Sequence, residues 1–125
     1  MQRNWDTIRE ILSKLEEATP EQVKINLMHF PQEKAFEISY HMELLLDAGL
    51  VKGEMRKELR VRPQDFIVYS LTWQGHEFLD TIRSDTVWQN TKKSFQQNSI
   101  SMTFDLIKSV ATGIATAFLK SRIGV

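Results

Sequence analysis

Residues 36–51, FEISYHMELLLDAGLV, constrain this chain more than any other stretch, because they read as a helix that stops at a glycine and runs directly into a strand. At 100° per residue, Ile38, Met42, Leu45 and Gly49 fall on one side, which predicts that this side forms the middle of a core. Glu43 and Asp47 fall opposite. Gly49 can take the left-handed conformation that ends a helix at no steric cost, so Leu50 is expected to fold back under the last turn. On this reading Ile38, Met42, Leu45 and Leu50 are buried, together with Ile8, Leu12 and Leu79. A second apolar stripe, Phe36, Tyr40 and Leu44, recurs every four residues and points away from the first by roughly 160°. A helix apolar on both sides expects cover on both sides.

At 125 residues with 42% hydrophobic content, the chain is long enough to bury one core and too short for two ordinary domains. Zero cysteines exclude disulfides, thiolate catalysis and Cys-ligated zinc. The N-terminus carries no apolar run, so the expected location is cytoplasmic. Sixteen basic and sixteen acidic side chains balance to zero, unlike a protein devoted to neutralising phosphates. The distribution is uneven: residues 1–49 hold 5 Lys/Arg against 9 Asp/Glu and residues 50–125 hold 11 against 7, giving −4 and +4. A polyanion is expected to meet the second half.

In chain order, Asn4 is placed to cap a first helix in which Trp5, Ile8, Leu12 and Leu15 recur at helical spacing, ended by Thr19 and Pro20. Residues 22–27 alternate polar and apolar and predict a half-buried strand, although Met28 breaks the alternation. Pro31 then opens the central helix, with Glu33 near its positive end. Leu50, Val51 and Lys52 read as a strand edge. Residues 55–62 and 66–71 read as a hairpin around residues 63–65, with Arg56, Lys57, Arg60 and Arg62 on its first strand. Thr72 is placed to cap the next helix, in which Trp73, Phe78, Leu79 and Ile82 are the apolar positions. Asp85 starts a further helical run with Val87, Trp88 and Thr91, and residues 96–99 form a polar break. Ser101 or Thr103 then caps a last helix, in which Phe104, Ile107, Ala111, Ile114 and Phe118 form a heptad-like stripe. Its weakly polar run of residues 109–119 is far shorter than the roughly 20 residues of a membrane span.

Two stretches carry a resemblance. ISYHMELLLDAGLV, residues 38–51, resembles the recognition helix and following strand of bacterial winged-helix regulators, roughly V-S-R-H-L-K-x-L-R-x-A-G-L-V. It departs from them at Tyr40, Glu43 and Leu46, where such helices carry cations. YSLTWQGHEFL, residues 69–79, resembles the passage Y-x-L-T-x-x-G-x-x-x-L that follows the wing in those regulators. LTWQGHEFLDTIRSDTVW, residues 71–88, together with the opening WDTIREIL, is similar to an uncharacterised bacterial and phage family, domain of unknown function twenty-five thirteen. The resemblance implies an α+β, mainly α fold: a winged helix-turn-helix over residues 1–84 with a small antiparallel wing, and a C-terminal helical extension over residues 85–125. It implies a phage or prophage background and brings no catalytic residues.

Chemistry is scarce in the sequence. His29, His41 and His76 have no paired ligand spacing, no serine sits in a nucleophile elbow and no glycine-rich phosphate loop occurs, so no metal, cofactor or enzymatic activity is expected. Two binding classes remain. In one, a DNA-associated regulator touches duplex DNA through Lys52, Arg56, Lys57, Arg60 and Arg62 of the wing and through Ser39 and Tyr40 of the central helix. In the other, the fold serves protein interaction or assembly and no longer reads bases. An interface is expected where Phe36, Tyr40 and Leu44 meet Phe104, Ile107, Ile114 and Phe118, within the chain or across a homodimer, with the C-terminal helix as the route to a protein partner.

Overall fold

Asn4 starts the first helix as its sequence position predicts: its side-chain oxygen accepts the backbone N–H groups of Asp6 and Thr7 at 2.9 and 3.2 Å. In the computed structural model, which describes residues 1–19, 21, 22 and 24–123, this helix is α1, Trp5–Glu17. Two three-residue 3-10 turns, Leu27–His29 and Gln32–Lys34, lead into α2, Ala35–Asp47. An antiparallel pair follows, β1 Val51–Arg56 and β2 Asp65–Leu71. The chain continues through α3 Trp73–Ile82, α4 Asp85–Asn98 and α5 Phe104–Ile123. The class is α+β and mainly helical, with one two-stranded sheet among the described residues. The chain divides into two compact units, Met1–His76 and Glu77–Val125.

The core of the first unit is the side of α2 that the glycine stop predicts. Ile38, Met42 and Leu45 are buried, as are Ile8, Ile11, Leu12 and Leu15 of α1 and Phe66, Val68 and Leu71 of β2. Gly49, at φ 73°, ends α2 with its N–H on the Leu46 carbonyl at 3.1 Å, and the Leu50 N–H returns to the Leu45 carbonyl at 3.0 Å. These paired bonds satisfy carbonyls that a helix end otherwise leaves open, and they bury Leu50. The same turn receives α3. The Thr72 N–H donates to the Leu50 carbonyl at 3.0 Å and the Thr72 hydroxyl donates to the Gly49 carbonyl at 2.6 Å, while Thr72 Oγ1 accepts the Gly75 N–H at 3.0 Å. A Cβ on Gly75 would lie 2.0 Å from the Leu50 oxygen. The two motif stretches therefore meet at one joint, and Gly75 is there because no side chain fits.

Two predicted strands are corrected. Among the described residues of 22–27 no strand forms: Ile25 alone of these pairs, bridging Val68 through bonds of 2.8 and 2.9 Å. Asn26 stops it by capping the next turn. Its side chain accepts the Met28 N–H at 3.0 Å, and His29 Nδ1 accepts the Asn26 N–H at 3.1 Å. Pro20 and Val23 lie outside the described residues. In the hairpin, the expected edge at residues 50–52 and the start of the expected strand at residues 55–62 are one strand, β1, whose register shifts between Lys52 and Gly53. Residues 57–64 form a loop. The Gln64 side chain donates to the Glu58 and Val61 carbonyls at 2.9 and 2.5 Å and accepts the Glu58 N–H at 2.9 Å. Those bonds take up backbone groups that a ladder needs, and Arg60 turns through φ 65°.

In the second unit, Val87, Trp88, Thr91 and Phe95 of α4 are buried with Ile107 and Ala111 of α5. Phe78 stacks on Phe104 with centroids 4.5 Å apart. Ser84 caps α4 by accepting the Val87 N–H at 3.3 Å, and Ser99, at φ 53°, ends it, so the predicted break comes at its last residue. Thr103 caps α5.

Candidate binding surface

The outer side of α2 carries Phe36 at 59% and Tyr40 at 37% exposure, with Leu44 half-buried. Their four-residue recurrence on a helix whose other side is core leaves them no place but the surface. Met28 on the preceding 3-10 turn, 89% exposed, extends this apolar strip. Ser39 is corrected as a surface contact: it is buried, and its hydroxyl donates to the Gln64 carbonyl at 2.6 Å. That bond ties the 57–64 loop to α2. Tyr40 stands edge-on to His41 at 5.4 Å.

His41 fixes α2 from behind. It is buried, Nδ1 faces the Glu37 carbonyl at 2.8 Å, and Nε2 faces the Asn4 N–H at 2.8 Å. A carbonyl requires a donor and an N–H requires an acceptor, so the ring is neutral with its proton on Nδ1. Glu37 also accepts the Thr7 hydroxyl. The start of α1 and the first turns of α2 are thus locked by polar bonds, which holds the outer strip in one orientation.

Five cations stand on the hairpin, and Lys52, Arg56, Lys57, Arg60 and Arg62 are all exposed. Lys57 reaches Glu43 on α2 at 3.3 Å, with both side chains substantially open to water, so the pair contributes at most about 1 kcal/mol. One guanidinium nitrogen of Arg62 donates to its neighbour's carbonyl at 2.9 Å; the fork has five N–H donors in all. Between α2 and the loop lie three adjoining depressions. The first, about 600 Å³, is floored by Leu27, Ala35, Phe36 and Pro63. The second shares Phe36 and Pro63 with it, and the third shares Glu43, Arg62 and Gln64 with the second. They adjoin along α2: the first is mainly apolar, and the third carries two carboxylates, Glu43 and Glu58, beside two cations, Lys57 and Arg62. Asp65 at the apolar end accepts the Leu27 and Phe66 N–H groups at 3.0 and 2.8 Å. The unit as a whole holds 10 Lys/Arg and 12 Asp/Glu, a net −2.

Sequence reading finds Phe36, Tyr40 and the cations but misses Gln64, Pro63 and Met28 as residues lining these depressions. Met28 signals itself only by breaking an alternation. Of the C-terminal stripe, Ile107 is fully buried, which corrects it as a surface contact, and Phe104, half-buried, stacks on Phe78. Ile114 is half-buried and Phe118 is 41% exposed, with Leu119 and Ile123 more open still. Among the described residues, no group of three His, Asp or Glu side chains converges as a metal site. No helix there is long and apolar enough to cross a membrane. The Glu21 carboxyl, fully exposed, is held below the usual carboxylate range by a backbone hydrogen bond and by Thr19.

Residues 2–101 match the family described as "Hypothetical protein (DUF2513)". An "Uncharacterized protein" of Haemophilus influenzae (strain ATCC 51907 / DSM 11121 / KW20 / Rd) is 40% identical over 119 residues, which cover 95% of this chain and 99% of that protein. No solved structure matches.

Proposed function

Because the chain belongs to the DUF2513 family of hypothetical proteins, whose description assigns no activity, we propose its function from the surface itself: a non-catalytic, DNA-associated regulator of winged helix-turn-helix type. The order α1, an Ile25 bridge to β2, short turns, α2 and the β1–β2 hairpin supports the winged-helix reading. In that reading α2 takes the place of the helix that approaches the major groove, and the hairpin loop is the wing. The single observation that carries DNA contact is the set of exposed cations on the hairpin, Lys52, Arg56, Lys57, Arg60 and Arg62, beside the outer side of α2. Backbone phosphate is their ligand. Tyr40 is the one residue of α2 retained from the predicted DNA contacts.

A second reading, a protein-interaction module on the same fold, is favoured by Phe36, Tyr40 and Met28 and by Glu43 where a base-reading helix carries a cation. A titration of random-sequence duplex DNA at low and high salt separates the two. Under the first reading the protein binds at low salt, and Lys57→Gln, Arg60→Gln and Arg62→Gln together abolish binding. Partial replacement lowers the slope of log affinity against log salt by about 0.9 for each phosphate that is no longer neutralised. Absence of binding at low salt sinks the DNA reading and leaves the second.

A further inference from the structure

We propose that β1 is the edge through which two copies of this chain pair, antiparallel and about a two-fold axis centred on Gly53, an inference that goes beyond DNA contact and does not depend on it. Three hydrogen-bond patterns fix which way the backbone of β1 points. The Thr72 N–H reaches the Leu50 carbonyl, and these two residues flank the Val51–Leu71 pair, which makes it a widely spaced pair whose own N–H and C=O groups turn away from each other. Val68, opposite Gly53, gives both of its backbone groups to Ile25. The N–H of Phe66, opposite Met55, goes to the Asp65 side chain at 2.8 Å. Val51, Gly53 and Met55 therefore point their N–H and C=O groups outward from the sheet. The register shift leaves Tyr69 as the extra residue on β2, so β1 keeps its alternation. Beyond β1 no further strand pairs among the described residues, and Lys52, Gly53, Glu54 and Arg56 are exposed. An open edge of this kind is a template for another strand.

The charges point to a second copy as the occupant and set the register. Val51 is buried, so Lys52 and Glu54 stand on the opposite, solvent side of β1, and neither has an ionic partner among the described residues. When Gly53 faces Gly53 of the second copy, Lys52 of each lies directly opposite Glu54 of the other, and Val51 lies opposite Met55. Val51, Gly53 and Met55 then form doubly bonded pairs, about six N–H···O=C bonds in all. Centring on Lys52 or on Glu54 sets like charges face to face, and a slip of one residue opposes outward-pointing groups with inward-pointing ones. Centring on Met55 opposes Glu54 and Arg56 but leaves a shorter ladder, because β1 ends at Arg56. Of the hairpin cations only Lys52 takes part; Arg56, Lys57, Arg60 and Arg62 stay outside the paired residues, and antiparallel pairing puts the two 57–64 loops at opposite ends of the joint. A joint of residues 51–55 buries well below the roughly 1,600 Å² of a standard interface, so a weak, concentration-dependent dimer is expected.

The test uses the full chain at concentrations up to about 1 mM, followed by sedimentation equilibrium and by amide hydrogen exchange. The wild type is expected to pass from monomer to dimer as concentration rises, with exchange slowing at Val51, Gly53 and Met55 while Lys52 and Glu54, whose backbone groups face β2, change little. Lys52→Glu and Glu54→Lys each set like charges opposite one another and are expected to weaken self-association about tenfold or more. Mixing the two single variants brings opposite charges together again and is expected to restore a dimer of one with the other, and the double variant that exchanges both charges is expected to restore the homodimer. Both positions are exposed, and circular dichroism checks the fold. Gly53 is no handle, because a Cβ there would lie 2.3 Å from the Ile67 oxygen. Monomer at every concentration, a dimer whose Val51, Gly53 and Met55 amides exchange as in the monomer, or a mixture no tighter than the single variants overturns the inference. Weakening by Glu54→Lys with indifference to Lys52→Glu also overturns it, since that is the outcome of centring on Met55. Duplex binding is measured on the same samples: a protein that dimerises without binding duplex refutes the DNA reading alone, and one that binds duplex but stays monomeric refutes this inference alone.

Discussion

Gly75→Ala is the substitution that most directly probes how the two motif stretches lock together. Alanine normally strengthens a helix relative to glycine, by about 1 kcal/mol. Here the added Cβ would lie 2.0 Å from the Leu50 oxygen and 3.1 Å from its carbonyl carbon, and both are backbone atoms at the end of α2. They cannot rotate aside as a side chain would, so the start of α3 has to move by more than an ångström. That movement strains the Thr72 N–H bond to the Leu50 carbonyl, the Thr72 hydroxyl bond to the Gly49 carbonyl and the cap on Gly75, at 3.0, 2.6 and 3.0 Å. Hydrogen bonds of this kind contribute about 1 kcal/mol each and an N-cap about 1 kcal/mol, and loosened packing of Leu50 adds to that. Against the helix gain, a net loss of about 2–4 kcal/mol is expected, which for a chain of this size lowers Tm by roughly 8–15 °C. Thermal and urea unfolding followed by circular dichroism measures it. Gly113→Ala is the control, because a Cβ there meets nothing within 4 Å and the residue lies within α5. It should stabilise by about 0.5–1 kcal/mol. A Gly75→Ala loss below about 0.5 kcal/mol would refute the close approach.

Leu45→Ala should cost about 2–5 kcal/mol, since Leu45 is 2% exposed at the centre of the first unit's core, and urea unfolding reads it directly. His41→Ala should cost about 2–4 kcal/mol by removing a buried ring and two hydrogen bonds, with hydrogen exchange of the Asn4 and Thr7 amides rising first. Ser39→Ala should leave α2 intact and loosen the 57–64 loop, seen as faster cleavage there by trypsin at Lys57 and Arg60. Proteolysis unchanged by that substitution would mean that the Gln64 carbonyl is not held by Ser39.

The joint of α2, β1 and α3 is legible in the sequence because each part obeys a local rule. Gly49 stops a helix, Leu50 folds under it, and Thr72 caps the next helix three residues before a glycine. The 57–64 loop is not legible. Alternating charges there look like a strand edge, and what prevents the strand is Gln64 bonding to the backbone of Glu58 and Val61, a choice that no periodicity encodes. Ser39 misleads for a related reason, since its burial depends on a carbonyl 25 residues away. Residues 22–27 show how far alternation reaches: it locates the pairing residue Ile25, but Asn26 favours its own turn. The stripe on α5 is a face needing cover, as its spacing indicates. Periodicity says that a face is covered and not by what, and Phe78 and the buried side of α4 lie in the same unit as Phe104 and Ile107.

The central claim is that the working surface of this protein is the outer side of α2 together with the 57–64 loop. It is tested most directly by amide chemical-shift mapping of the isotope-labelled full chain during titration with random-sequence duplex DNA at low salt. The account predicts shifts at Phe36, Tyr40 and Glu43 and residues 57–64, while buried α4 residues such as Trp88 and Thr91 stay fixed. Shifts confined to α5, or none, would contradict it.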